Sequence, residues 1–158
     1  MKLKQLIDED FVNYRKPSMF IGTTKCSFKC DKECGMQVCQ NSTLATARSI
    51  DIDNETLIKR YINNPITSAV VIGGLEPFDT WNELYLFIKQ FRRLCSDDIV
   101  IYTGYQEDEI KDQIQRLKVE FYNIIVKFGR YIPNKQSHLD EILGVNLASD
   151  NQYARRIC

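Results

Sequence analysis

Four cysteines, Cys26, Cys30, Cys34 and Cys39, fall within fourteen residues, in the stretch KCSFKCDKECGMQVCQN. Thiols at this density form a disulfide knot, a zinc site or an iron–sulfur site. Zinc takes four thiolates in a closed tetrahedral shell. Structural zinc loops pair two short knuckles across a longer spacer, whereas the intervals here are three, three and four residues. An iron–sulfur cluster also takes thiolates. If only three are supplied, one iron stays open to a chelating small molecule.

Bulk properties weigh against the knot. A chain of 158 residues can bury a core without covalent staples. The opening MKLKQLIDEDF is interrupted by acids and does not read as a signal peptide, and no apolar run is long enough for a bilayer. The expected location is a reducing cytoplasm, where clustered thiols serve as ligands or redox groups more often than as disulfides. Lys and Arg number 21 and Asp and Glu number 21, for a net charge of zero. That balance gives no electrostatic reason to expect nucleic acid or a membrane surface as partner.

Short β-branched runs alternate with helical patterns, and these must position the thiols. Met19–Gly22 reads as a strand feeding the cysteine loop, which spans residues 23–42. Asn54 caps a helix to Asn63. Ala69–Ile72 is a buried strand ended by Gly73-Gly74. Thr80 caps a helix from Trp81 to about Leu94, with Leu84, Phe87, Ile88 and Phe91 on one face. Ile99–Tyr102 is a strand ended by Thr103-Gly104, Glu107–Leu117 a helix, and Asn123–Lys127 the next strand. A shorter strand lies near Leu143–Leu147. Such alternation predicts a single α/β domain with a mainly parallel sheet. Ligands of such sheets bind at the carboxyl ends of strands. The cysteine loop, the Gly73-Gly74 turn and the Thr103-Gly104 turn are therefore expected at one edge, as one site.

Taken in order, these motifs resemble the radical S-adenosylmethionine superfamily, and within it the activating proteins of anaerobic ribonucleotide reductases. Cys26-Ser-Phe-Lys-Cys30 is similar to the first two cysteines of the family's CxxxCxxC, and Cys39-Gln-Asn to the segment around its third. Gly73-Gly-Leu-Glu-Pro77 resembles the GGEP turn, Ile101-Tyr-Thr-Gly-Tyr105 the YTGY strand end, and Ala148-Ser-Asp-Asn-Gln152 the GSxNQ element. The likeness runs from about Phe20 to Gln152. It implies a compact incomplete (β/α) barrel with a core over residues 19–152, and a [4Fe–4S] cluster on Cys26, Cys30 and Cys39. It also implies S-adenosylmethionine held by Gly73, Gly74, Glu76, Tyr102, Thr103 and Asn151. The implied partners are the large glycyl-radical subunit of the reductase and a flavodoxin-type electron donor.

The chain departs from the pattern between Cys30 and Cys39, where eight residues stand in place of two and include Cys34. The CQN segment favours Cys39 as third ligand; nearest spacing would choose Cys34. Lys127 and Phe128 stand where the family's VDGxF element carries an acid, so no role is carried over there. Phe28 either shields the cluster or stacks on adenine. His138, the one histidine, reads as a solvated loop residue, Cys95 as a small buried apolar residue, and Arg155, Arg156 and Cys158 as a tail. Two other functions stay open: a radical S-adenosylmethionine enzyme acting on another protein, peptide or small molecule, and a non-enzymatic zinc or iron–sulfur module using all four cysteines.

Overall fold

A computed structural model describes residues 1–158. In chain order the elements are β1 (Lys2–Leu3), β2 (Gln5–Asp10), β3 (Ser18–Gly22), α1 (Lys29–Cys34), α2 (Ser42–Thr46), β4 (Ile50–Asp51), α3 (Asn54–Ile62) and β5 (Ala69–Gly73). They continue with α4 (Trp81–Phe91), β6 (Asp98–Tyr102), α5 (Lys111–Glu120), β7 (Ile124–Phe128), β8 (His138–Asp140), β9 (Val145–Leu147) and β10 (Tyr153–Arg156). Short 3-10 turns at Pro77–Thr80 and Glu107–Ile110 lead into α4 and α5.

The main sheet has six strands in the order β10-β7-β6-β5-β3-β2. The four central strands run parallel, and β2 and β10 close the edges antiparallel. Side chains alternate across the pleat. Met19, Ile21, Val70, Ile72, Ile99, Ile101, Ile124 and Val126 face the helices and join one core with Leu57, Ile58, Leu84, Phe87, Ile88, Phe91, Ile114 and Leu117. Phe20, Val71, Val100 and Ile125 point to the opposite face, where Tyr14, Leu143 and Leu147 cover part of the sheet. With both faces buried, the central strands read as unbroken apolar runs. The helices α3, α4 and α5 lie on one side only, which leaves room for a cavity on the other. No helix is long and apolar enough to cross a membrane.

Several expected boundaries move, each for a local reason. Asp53 caps α3 in place of Asn54, its carboxylate accepting from Thr56 N at 2.8 Å. Thr80 does not cap α4; its hydroxyl donates to Pro77 O, and the capping carboxylate is that of Glu76, before the 3-10 turn. The helix α4 ends at Phe91 because Arg92 turns its guanidinium onto the carbonyls of Cys95, Asp97, Tyr122 and Asn123. The helix expected from Glu107 begins as a 3-10 turn and becomes α-helical at Lys111. His138 belongs to a strand, half-buried, rather than to a solvated loop. The tail reading of the C-terminus is also corrected. Residues 153–156 form β10, and Cys158 O accepts from Ile124 N at 3.1 Å.

Candidate metal centre

The pleat that packs the core also sets the floor of the site. Gly22 pairs with Gly73, and Tyr102 pairs with Lys127, all on the face opposite the helices at the carboxyl ends of their strands. The glycines leave this edge open. A Cβ on Gly73 would lie 3.1 Å from Tyr102 Cβ. Gly74 has φ +78°, and a Cβ there would meet Leu44 Cδ2 at 2.7 Å, so only glycine fits this turn.

Hydrogen bonds to neighbouring strand ends moor the cysteine loop. Thr23 N donates to Gly73 O at 2.9 Å, Glu76 N to Lys25 O at 2.8 Å, and Ser27 N to Asp79 Oδ2 at 2.6 Å. Phe28 then adopts a left-handed conformation, φ 51°, uncommon for a bulky residue. That turn directs its N–H at Cys26 Sγ, 3.3 Å away, and starts α1. Gly35, at φ 66°, ends the helix. The chain folds back so that Asp31 Oδ1 accepts from both Val38 N and Cys39 N at 2.8 Å. The eight residues between Cys30 and Cys39 thus form a closed excursion, and Cys39 returns to its root.

Cys26, Cys30 and Cys39 line one cavity of about 470 Å³, and Cys34 does not. Gly74, Glu76, Tyr102 and Thr103 share its wall, together with Asn41, Lys127 and Gln152. Gly73 and Asn151 lie outside the lining. Gly73 packs at the end of β5, and Asn151 Nδ2 donates to Arg130 O at 2.8 Å, so its neighbour Gln152 occupies the wall. Phe28 is also absent from the lining. No three His, Cys, Asp or Glu side chains close on a single-ion site.

Charge is concentrated around these thiols. Burial pushes the Cys26 thiol up to about 11, against the pull of the Phe28 N–H, with Glu76, Cys39 and Asp79 adding to the rise. Burial also raises Cys30, opposed by the Tyr131 N–H; Cys39 adds to the rise while Arg130 and Lys127 lower it. The buried Glu76 carboxylate accepts from Thr103 Oγ1 at 2.7 Å, Gly104 N at 2.9 Å and Phe78 N at 3.1 Å. Desolvation outweighs these bonds and raises it to about 7. Desolvation likewise lowers the Lys127 ammonium to about 8, against the attraction of Glu76 and Cys30. Arg130 Nη2 donates to Glu109 Oε1 at 2.6 Å, and its Nε lies 3.1 Å from Glu33 Oε1, an ion pair without hydrogen-bond geometry.

Sequence reasoning missed Asp31, Asp79 and Arg130 as supports of the site and assigned no role to Lys127; of the Asn151-Gln152 pair at the end of the late element, it is Gln152 that lines the cavity. A lysine inside the apolar run Ile124-Ile-Val-Lys-Phe128 was the one available signal, because lysine is almost never fully buried without a partner.

A family model described as a 4Fe-4S single cluster domain matches residues 16–152. No curated protein and no solved structure matches the chain at a significant level.

Proposed function

This chain belongs to the 4Fe-4S single cluster domain family, and from that premise we propose a radical S-adenosylmethionine enzyme that generates a glycyl radical on a large partner of the anaerobic ribonucleotide reductase kind. One observation carries the reading: three of the four clustered thiols share a single cavity with the Glu76 turn, and the fourth stays outside. Three thiolates suit a cluster with one iron left for an exchangeable ligand. A cavity of about 470 Å³ also falls in the range of small-molecule sites. The sheet, with helices on one face and the cavity on the other, would be the wall of an incomplete (β/α) barrel.

When bound, the cluster and S-adenosylmethionine together supply one-electron cleavage of the sulfonium into methionine and a 5′-deoxyadenosyl radical, which takes a hydrogen atom from the glycine Cα. The chain's own residues bind, orient and shield. Cys26, Cys30 and Cys39 would hold the cluster, with the Phe28 N–H directed at the first thiol. Glu76, fixed by three donors, keeps acceptor capacity for an ammonium group. Tyr102, whose hydroxyl donates to Asn13 O at 2.5 Å, braces the far wall. Gln152 replaces Asn151 as the polar group nearest the ligand on the last loop. A macromolecular substrate suits the mouth of the cavity, where the lining residue Val12 is 73% exposed and its chain neighbour Phe11 62%. The electron would come from a flavodoxin-type donor in the cytoplasm.

The test is anaerobic reconstitution with iron and sulfide, followed by S-adenosylmethionine and dithionite. The reading expects methionine and 5′-deoxyadenosine in equal amounts. A fully loaded cluster that leaves the nucleotide intact would overturn it.

A further inference from the structure

We propose that Arg130 sets the reduction potential of the cluster, its guanidinium standing against Cys26 and Cys30 from outside the main cavity. This role depends on those thiols holding a cluster and not on the nucleotide. Arg130 is absent from the wall of the large cavity. It lines a second pocket of about 20 Å³, which Cys26 and Cys30 share with Lys29 and Tyr105 and which Cys39 does not reach. That space holds one water and no larger ligand. Arg130 Cγ and Cys30 Sγ each lie 3.7 Å from the point where a Cβ on Gly104 would sit, so both pack onto the same small residue. The Arg130 side chain is 8% exposed. Of its guanidinium nitrogens, Nη2 alone finds a protein acceptor, Glu109 Oε1 at 2.6 Å, and Nε is buried with no hydrogen-bond partner. A buried donor left unpaired is costly. Glu76, the one carboxylate on the pocket wall, is already fixed by three donors, which leaves sulfur to face the guanidinium.

Reduction adds one negative charge to a cluster whose ligands stay the same. A cation held beside it, or an N–H directed at its sulfurs, favours that extra charge and raises the potential. Lys29 is the other cation of the pocket, but its side chain is 41% exposed. Its ammonium is spent on Glu109 Oε1 at 3.0 Å and on the Tyr105 ring, 4.4 Å from the centroid. Exposed charge is screened far more than buried charge. Burial is the main influence on the Cys30 thiol, and among the cations that favour its ionised form Arg130 leads Lys127. Glu109 holds Arg130 in place and offsets part of its field. The two residues therefore push the potential in opposite directions, which a clasp that only held segments together would not do.

The test is the midpoint potential of the anaerobically reconstituted protein, read by electron paramagnetic resonance in a mediated redox titration without nucleotide. Arg130→Met is expected to lower it, making one-electron reduction about ten-fold less favourable, or about 59 mV. Arg130→Lys, which keeps the charge, should stay close to wild type. Glu109→Gln, which keeps an acceptor for Arg130 and removes the opposing charge, should raise the potential. Should Arg130→Met fail to take up iron, the sign of the Glu109→Gln shift decides: a rise supports the role, and a fall or no change overturns it. An unchanged potential in Arg130→Met, or shifts of the same sign in Arg130→Met and Glu109→Gln, would overturn it and leave the nucleotide reading intact. A wild-type protein that takes up no four-iron cluster would overturn both together.

Discussion

Asp31 illustrates how much depends on one side chain. Its Oδ1 accepts the N–H of Cys39 and that of Val38, and so brings the third thiol back to the cavity after an eight-residue excursion. Asp31→Ala removes both bonds and should cost about 2 kcal/mol of loop anchoring. The expected outcome is a lower iron content after reconstitution, with Asp31→Asn, which keeps an acceptor oxygen, intermediate. Cys34→Ser should retain the full iron content, since Cys34 does not line the cavity; Cys39→Ser should lose most of it. The cysteines themselves were legible because thiols are scarce and their clustering needs a chemical cause. Asp31 and Asp79 were not. Asp79 meets Ser27 across 52 residues of chain, and nothing local marks an acid as the acceptor for a distant backbone N–H.

Elements are joined around the site by a clasp that no single segment contains. Arg130, just beyond β7, reaches Glu109 on the 3-10 turn before α5 and Glu33 on α1, and Lys29 donates to the same Glu109 oxygen at 3.0 Å. The Arg130 hydrogen bond holds the Glu109 carboxyl down to about 2, helped by the Gln106 N–H and Lys29 and opposed by burial. A carboxyl lowered on folding stabilises the protein above its unfolded value of 4.5, and that contribution is lost as pH falls toward about 2. Glu109→Gln should therefore lower the melting temperature at neutral pH by the equivalent of about 1 kcal/mol, because the clasp is partly exposed. The difference from wild type should shrink in melts below about pH 4. Helices and central strands were legible from periodicity, for α4 and β5 above all. The edge strands β2 and β10 were not, because GlnLeuIleAspGluAsp and TyrAlaArgArg carry the polar residues that protect a sheet edge.

At the scale of the molecule, the end of the sheet away from the cavity carries its own tie. Asp98 accepts from Tyr14 Oη at 3.0 Å, Lys16 Nζ at 2.6 Å and Arg156 Nη2 at 2.9 Å. This fastens the β2–β3 connection, β6 and β10 together. Burial pushes the Asp98 carboxyl up, but the three donors outweigh it and leave it below its ordinary value. Asp98→Ala should destabilise the fold by about 3 kcal/mol in urea unfolding, with little change in cluster loading once folded. Separation of the stabilising end from the reactive end is what a parallel sheet with one helical face allows. The central claim is that Cys26, Cys30 and Cys39 leave an iron open to S-adenosylmethionine. Its most direct measurement is the electron paramagnetic resonance spectrum of the reduced protein before and after adding that nucleotide. The account expects the cluster signal to change shape in wild type and in Cys34→Ser, and no such signal in Cys39→Ser. A fully loaded wild-type cluster whose spectrum ignores the nucleotide would contradict it.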